Sequence, residues 1–77
     1  MSEGEILIDA RGHRCPVPTL KLRKTLEGAA EGARIVLLAD DPMARIDVPH
    51  FLGQVGEVLA ESGEADGGLR FVVVKGG

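Results

Sequence analysis

The chain has 77 residues, a formal net charge of −3 and one cysteine. A chain of this length closes a single hydrophobic core, so we expect one domain over residues 1–77. A single cysteine excludes an internal disulfide, a Cys-x-x-Cys redox pair and a multi-cysteine zinc site. The negative net charge argues against general nucleic-acid binding, because neutralising phosphates requires a basic surface.

The N-terminus and the apolar runs bear on the location of the protein. The first five residues, MSEGE, are acidic, whereas a secretory signal begins with basic residues. The longest apolar run, Ile35 to Ala39, is too short to span a bilayer. We therefore expect a cytoplasmic protein without membrane insertion, in a compartment where thiols stay reduced.

The first half of the chain predicts a strand followed by a helix. Residues 5–9, EILID, are typical of a strand, and Gly12 indicates a turn after it. From Pro16 onward, apolar residues recur at helical spacing until about Gly28 to Gly32; they are Val17, Leu20, Leu22, Leu26 and Ala29. Pro16 and Pro18 indicate the helix start, because proline is tolerated in the first turn.

The second half begins with a central strand. Residues 34–39, RIVLLA, form a nearly continuous apolar run, which is typical of a strand with neighbours on both sides. Asp40-Asp41-Pro42 then indicates a turn and a helix entry, and we interpret the two aspartates as turn and cap groups. A second helix is predicted from Ile46, Val48, Phe51, Leu52 and Val55, with Asp41 or Asp47 as cap and Pro49 tolerable only near the start.

Two endings are open for the second helix. It ends either at Gly56, so that residues 57–65 form an edge strand, or it continues to Ser62. Asp66-Gly67-Gly68 followed by residues 69–74, LRFVVV, is a hairpin signal, and a hairpin requires a strand before its turn. We therefore predict the order βαβαββ: a two-layer α/β sandwich with a mixed four-stranded sheet and both helices on one face.

Cys15 is the candidate reactive residue. At a helix N-terminus, unpaired N–H groups and the helix dipole favour the thiolate form. Five basic residues flank it and would favour an anion further; they are Arg11, Arg14, Lys21, Arg23 and Lys24. These charges favour a reactive thiol over an inert buried cysteine. A general-base role for His13 is less favoured, and His50 is interpreted as a surface residue.

The C-terminal Gly76-Gly77 suggests a comparison with ubiquitin-like carriers that form a thiocarboxylate. This tail follows the last predicted strand immediately, so Cys15 is the better-supported site.

Taken together, these residues resemble the TusA family of sulfur carriers, also called the SirA-like family. The resemblance rests on Ile8-Asp9, Gly12, Arg14-Cys15-Pro16-Val17-Pro18 with its Cys-Pro-x-Pro signature, Arg23-Lys24, Asp40-Asp41-Pro42, Asp47-Val48-Pro49, Phe51 and residues 70–75. It implies a βαβαββ sandwich whose Cys accepts sulfane sulfur from a cysteine desulfurase or a similar persulfide donor. The sulfur then passes to an acceptor protein in tRNA thiolation, molybdenum-cofactor assembly or sulfur metabolism.

In such a transfer, the charge and the position of the residues around Cys15 suggest a role for each. Cys15 would carry the persulfide, supported by Arg11, His13, Arg14, Pro16 and Pro18, while Lys21, Arg23 and Lys24 would dock the partners. We expect no metal, no cofactor and no direct nucleic-acid contact, and we expect a monomer. Two alternatives remain open: a sulfurtransferase acting on thiosulfate, and a regulatory or interaction module in which Cys15 is only structural.

Overall fold

The computed structural model describes residues 5–14 and 17–76. In this part of the chain the elements are β1 (Glu5–Asp9), α1 (Val17–Gly28), β2 (Arg34–Ala39), α2 (Ala44–Val55), β3 (Val58–Ala65) and β4 (Gly68–Val74). This order confirms the predicted βαβαββ sandwich. Neither helix combines the length and the apolar character needed to cross a bilayer, as far as the described residues go.

The four strands form one mixed sheet in the order β1-β2-β4-β3. β1 runs parallel to β2, whereas β4 is antiparallel to both β2 and β3. The central position of β2 explains its continuous apolar run, because a strand with neighbours on both sides is buried along most of its length. β1 and β2 end at the same edge of the sheet, at Asp9 and Ala39, and we call this the carboxyl edge.

The hydrophobic core lies between one face of the sheet and the two helices. Each helix contributes residues spaced by four positions, and the completely or nearly completely buried ones include Pro18, Leu22, Leu26, Ala44, Val48 and Leu52. The sheet contributes alternate residues, as a pleated strand must; these include Ile8, Ile35, Leu37, Phe71 and Val73.

Three residues of the apolar series predicted for the helix faces are exposed, and one of them is Val55 at the end of α2, at 48%. Leu20 is 56% exposed and Ile46 is 64% exposed. Each lies two positions from a buried residue of its helix, Leu22 or Ala44, which is a rotation of about 200° around the helix axis. The prediction that both residues face the core was therefore wrong.

α2 begins earlier than its apolar series, at Ala44, with Met43 as N-cap residue. Pro49 therefore lies inside the helix, and the expectation that it is tolerated only near the start was wrong. A proline has no N–H to donate to the carbonyl four residues earlier, which belongs to Arg45. Arg45 and Pro49 are both exposed, so water can satisfy that carbonyl.

The end of α2 and the following hairpin are as predicted. Gly56 adopts φ +75 in the left-handed region and donates its N–H to the carbonyl of Leu52, so α2 ends there and β3 follows. Asp66 and Gly67 both have positive φ, 52° and 79°, which is the backbone of a two-residue type I′ turn.

Lys75, the residue after β4, links the sheet layer to the C-terminal end of α1. The ammonium group of Lys75 donates a hydrogen bond to the carbonyl oxygen of Leu26, in the last turn of α1. A cation at this position compensates the negative end of the helix dipole.

On the other face of the sheet, ion pairs link all four strands and lie beside the buried Val36 and Val72; they are Arg34–Glu5, Arg34–Glu61 and Arg70–Glu61.

Candidate functional site

The segment of residues 10–14 connects β1 to the region of Cys15 and lies at the carboxyl edge. The Ala10 N–H donates to the carbonyl of Leu38 at 2.8 Å, which continues the pairing of β1 with β2. The His13 N–H donates to the carbonyl of Ala10 at 3.3 Å and closes a tight turn. Gly12 occupies this turn with φ +86, a backbone conformation that a side chain disfavours.

Asp40 holds the same segment from the neighbouring strand. Both of its carboxylate oxygens lie 3.0 Å from the backbone N of Gly12, which donates to them. Because β1 and β2 are parallel and adjacent, the residues that follow their ends meet at the carboxyl edge. Asp40 therefore connects two segments that are 28 positions apart in the chain.

Cys15 and Pro16 lie outside the described residues, so the predicted sulfur-carrying residue and the first proline are considered through their neighbours. The described residues on either side are linked, since the Val17 N–H donates to the carbonyl of Arg14 at 2.9 Å. Pro18 is buried in the first turn of α1, which confirms that it stands at the helix start.

An open cleft of about 310 Å³ lies beside this segment. Its lining residues come from the two segments that follow β1 and β2; they are Gly12, His13, Arg14, Asp40, Asp41 and Pro42. The side chains of His13 and Arg14 are exposed there. The cleft places polar and charged groups on the surface next to the position of Cys15 in the sequence.

Arg11 forms hydrogen bonds with the carboxylate of Asp9, two residues before it in the chain. Its guanidinium donates to both oxygens of Asp9, at 2.9 and 2.8 Å, and its backbone N–H donates to the same side chain at 3.1 Å. The hydrogen bonds from the Arg11 side chain and backbone lower the pKa of Asp9 from 3.8 to about 2. Asp9 in turn raises the pKa of Arg11, with smaller contributions from Asp66 and Asp40.

The basic residues around Cys15 therefore differ in how much charge they present. Arg11 is surrounded by carboxylates, and Arg23 lies 3.6 Å from Glu27 one turn along α1. Among the described residues, no carboxylate lies within ion-pair distance of the other three, Arg14, Lys21 and Lys24. The local cationic surface consists mainly of these three side chains.

Exposed apolar side chains lie at the same end of the helix layer. Leu20 belongs to the first turn of α1, Met43 is the N-cap of α2 and is 50% exposed, and Ile46 belongs to the first turn of α2. Both helices begin just beyond the carboxyl edge, because each follows one of two parallel strands. Sequence reasoning missed this group. Apolar residues that recur every four positions define the buried face of each helix, and Leu20 and Ile46 do not belong to those series.

Known proteins are similar to this chain over most of its length. The family model of the sulfurtransferase TusA matches residues 6–75, which is nearly the whole length. The chain belongs to the TusA sulfurtransferase family. It is also 42% identical over 67 residues to a protein of Archaeoglobus fulgidus named "Putative sulfur carrier protein", covering 86% of this chain and 87% of the relative.

A solved structure supports the same assignment. The crystal structure of a SirA-like protein from Desulfitobacterium hafniense superposes with a TM-score of 0.78 at 31% identity. The superposition covers 94% of this chain and 99% of the other. The resemblance to the TusA and SirA-like sulfur carriers is thus confirmed, together with the α/β fold that it implies. A sulfur carrier of this family interacts with a sulfur donor and a sulfur acceptor.

The two aspartates of the Asp40-Asp41-Pro42 element of this TusA-family chain have different roles. Asp41 accepts a hydrogen bond from the Met43 N–H at 2.9 Å and so supports the turn into α2, which confirms the turn role. The N-cap residue is Met43, so the prediction that Asp41 or Asp47 caps this helix was wrong. Asp40 points to the 10–14 segment, which the turn-and-cap interpretation did not anticipate. His50 is exposed on α2, which confirms its assignment to the surface.

Proposed function

We propose that Cys15 carries sulfur as a persulfide, which it receives from a donor protein and passes to an acceptor protein. The observation that carries the proposal is the position of the chain's one cysteine, directly after a segment fixed at the carboxyl edge, in a member of a sulfur-carrier family. A thiolate is the nucleophile in such transfers, and the basic residues nearby favour the anion.

The transfer requires one thiol and no external oxidant. The Cys15 thiolate attacks the outer sulfur of a donor persulfide, R–S–SH, and a new S–S bond forms while the bond within the donor breaks. The donor leaves as a thiolate, R–S⁻, and Cys15 becomes Cys15–S–SH. In the second half, an acceptor thiolate attacks the outer sulfur of this persulfide, and Cys15 leaves as a thiolate. Each half conserves electrons, so a chain with one cysteine is sufficient.

The surface around the 10–14 segment offers two kinds of contact to a donor. Arg14, Lys21 and Lys24 present positive charge, and Arg23 contributes less because Glu27 is beside it. The exposed Leu20, Met43 and Ile46 supply apolar area at the same end of the molecule. An acidic partner surface with an apolar centre would match both, since complementary charge raises the association rate and apolar contact lengthens the lifetime of the complex.

The other predicted residues have supporting roles in this proposal. Pro16 and Pro18 stiffen the chain on the far side of Cys15, while Arg11 is held by Asp9 and shapes the turn before it. His13 lies exposed at the cleft and adds polarity there. We place the relay in the cytoplasm, with a cysteine desulfurase or a similar persulfide protein as donor. The acceptor belongs to tRNA thiolation, molybdenum-cofactor assembly or sulfur metabolism.

A pulse with isotopically labelled sulfur tests the relay. The protein is incubated with a cysteine desulfurase and labelled cysteine, separated from the donor, and then exposed to excess dithiothreitol as the acceptor thiol. The proposal predicts that the wild type retains label through the separation and releases it as sulfide when the thiol is added. Cys15→Ser should retain none. Label that never leaves the donor fraction would overturn the proposal.

A further inference from the structure

The bond between Asp40 and Gly12 is the longest-range side-chain contact made by the 10–14 segment among the described residues. Both carboxylate oxygens accept the Gly12 N–H at 3.0 Å, and this N–H belongs to a residue with φ +86. A carboxylate is a stronger acceptor than a neutral oxygen, so the bond restrains the turn more than a backbone carbonyl would. It joins the end of β2 to the turn three residues before Cys15.

Among the described residues, the other hydrogen bonds from this segment to the sheet reach β1 or precede the turn, whereas Asp40 links the turn itself to the end of β2. Arg11 bonds to Asp9, the last residue of β1, so this pair links the turn to the strand that precedes it and does not link it to β2. The Ala10 N–H bonds to Leu38 before the turn begins. Beyond that point, the Gly12 bond is the described connection between the turn and β2. The position of the turn relative to the end of β2 therefore depends on it.

Asp40 also separates two clefts on the surface. One cleft contains Gly12, His13 and Arg14, and the other, of about 220 Å³, lies towards the β3–β4 turn and contains Arg45 and Leu69. Pro42 also lines both clefts, so the two residues together form the boundary between them. Removal of the Asp40 side chain would widen the surface beside the segment as well as free the turn.

We propose that Asp40 is a positioning residue for sulfur transfer: its carboxylate, bonded to the Gly12 N–H, holds the 10–14 segment so that Cys15 meets a docked donor persulfide. This inference rests on the proposed function, because it assigns the role to the same transfer. Asp40 acts through the backbone and does not itself touch the transferred sulfur. A group held in place by such a restraint reacts faster with a docked partner, because it has less orientational freedom to lose when it reaches the transition state.

A competing role for Asp40 is purely electrostatic. A negative charge near Arg11 and Arg14 would weaken attraction for an acidic donor and disfavour a thiolate. In that case Asp40→Asn and Asp40→Ala would both speed transfer, and by similar factors. The positioning role predicts the opposite direction and an order. Asn retains one acceptor oxygen and Ala retains none, so transfer slows in the order wild type, Asp40→Asn, Asp40→Ala.

The test measures the rate of persulfide loading of Cys15 from a loaded cysteine desulfurase, over a range of donor concentrations. For Asp40→Ala we expect the saturating rate to fall about tenfold, as loss of a hydrogen bond to a charged acceptor implies. The half-saturating donor concentration should stay within about twofold, because the basic and apolar side chains proposed to contact the donor are unchanged. Asp40→Asn should fall between Asp40→Ala and the wild type.

Two controls separate positioning from general loss of structure. Glu57→Ala removes a similar bond, in which Glu57 accepts the Gly76 N–H at 2.7 Å at the opposite edge of the sheet, and it should load at the wild-type rate. The reaction of Cys15 with a small disulfide reagent, which needs no docking, should change by less than about twofold in every variant. The Gly12 amide should exchange with solvent faster in Asp40→Ala than in the wild type, as the broken bond requires.

The outcomes distinguish this inference from the proposed function. If the wild type gains no sulfur, the proposed function fails and the positioning role fails with it. If the wild type loads and both Asp40 variants load at the same rate or faster, the positioning role alone is overturned. A loss of rate that is equal in Glu57→Ala and Asp40→Ala would also overturn it, since that loss would reflect stability. The ordered loss confined to Asp40 supports it.

Discussion

Ile46 and Leu7 are exposed to almost the same degree, 64% and 65%, but they lie on opposite faces of the molecule. Ile46 belongs to the first turn of α2, near the 10–14 segment. Leu7 lies on the sheet face away from the helices, because it alternates with the core-facing Ile6 and Ile8. The two residues therefore form a matched pair for testing which face a sulfur donor contacts.

We predict that Ile46→Ser slows persulfide loading while Leu7→Ser does not. Loss of one exposed aliphatic side chain from a docking surface should raise the half-saturating donor concentration about fivefold to tenfold, equivalent to about 1–1.4 kcal/mol. Neither change should lower the thermal unfolding midpoint much, since both side chains are exposed. Equal effects of the two variants on loading would exclude the helix-layer surface as the docking face.

Charge on α1 provides a second matched comparison. We predict that the double variant Lys21→Ala/Lys24→Ala loads about tenfold more slowly than the wild type at low ionic strength, because it loses steering charge. Arg23→Ala should lose much less, because Glu27 already offsets its charge. Stopped-flow loading at several salt concentrations measures both effects. The difference should nearly vanish at about 1 M salt, where charges are screened within about 3 Å. A deficit that is independent of salt would argue against steering.

Asp9 makes the stability depend on pH in the acid range. Its pKa is lowered from 3.8 to about 2 in the folded protein by the bonds from Arg11, so the folded state favours the charged form. The stabilisation is fully present above pH 3.8 and is lost as the pH falls from 3.8 to about 2. In this window Asp9 is protonated in the unfolded chain before it is protonated in the folded protein. Unfolding by urea at several pH values in this window should show a smaller loss for Asp9→Asn than for the wild type.

A direct titration checks the cause of that shift. The carboxyl carbon of Asp9, followed by NMR, should titrate near pH 2 in the wild type and closer to 3.8 in Arg11→Ala. A midpoint that stays unchanged when Arg11 is removed would show that the hydrogen bonds from its side chain do not lower the pKa.

Two glycines with open surroundings should respond oppositely to alanine. A Cβ added at Gly12 or Gly53 would meet nothing within 4 Å, so contacts do not decide the outcome. Gly12→Ala should destabilise by about 1 kcal/mol, because φ +86 is unfavourable for a side chain. Gly53→Ala should stabilise by about 0.5 kcal/mol, because alanine favours the helix in which it lies. Chemical denaturation measures both, and the same sign for the two changes would contradict the assigned backbone conformations.

The element order was predictable because local patterns carry it. The apolar run of β2, the Asp66-Gly67 turn and the αL glycine at position 56 each indicate their structure within a few residues. The face of each helix was predicted less well. Leu20 and Ile46 are apolar and lie at plausible helical spacings, and only the four-residue phase of their buried neighbours shows that they point outward.

The contacts of the candidate site differ in how far sequence could reveal them. Asp9 and Arg11 are two positions apart, so their pairing is a local feature that the pattern of charges allowed but did not require. The bond from Gly12 to Asp40 spans 28 positions and depends on the parallel pairing of β1 and β2. No local pattern contains that pairing. The role of Asp40 therefore became visible only once the two strand ends were placed side by side.

The central claim is that Cys15 carries the sulfur, and the mass of the intact protein tests it most directly. After incubation with a cysteine desulfurase and cysteine, the wild type should gain the mass of one sulfur atom, and the gain should be localised by proteolysis to the peptide that contains Cys15. A reductant should remove the added sulfur, and Cys15→Ser should show no gain. A wild type that gains no sulfur under these conditions, or a gain that persists in Cys15→Ser, would contradict the account.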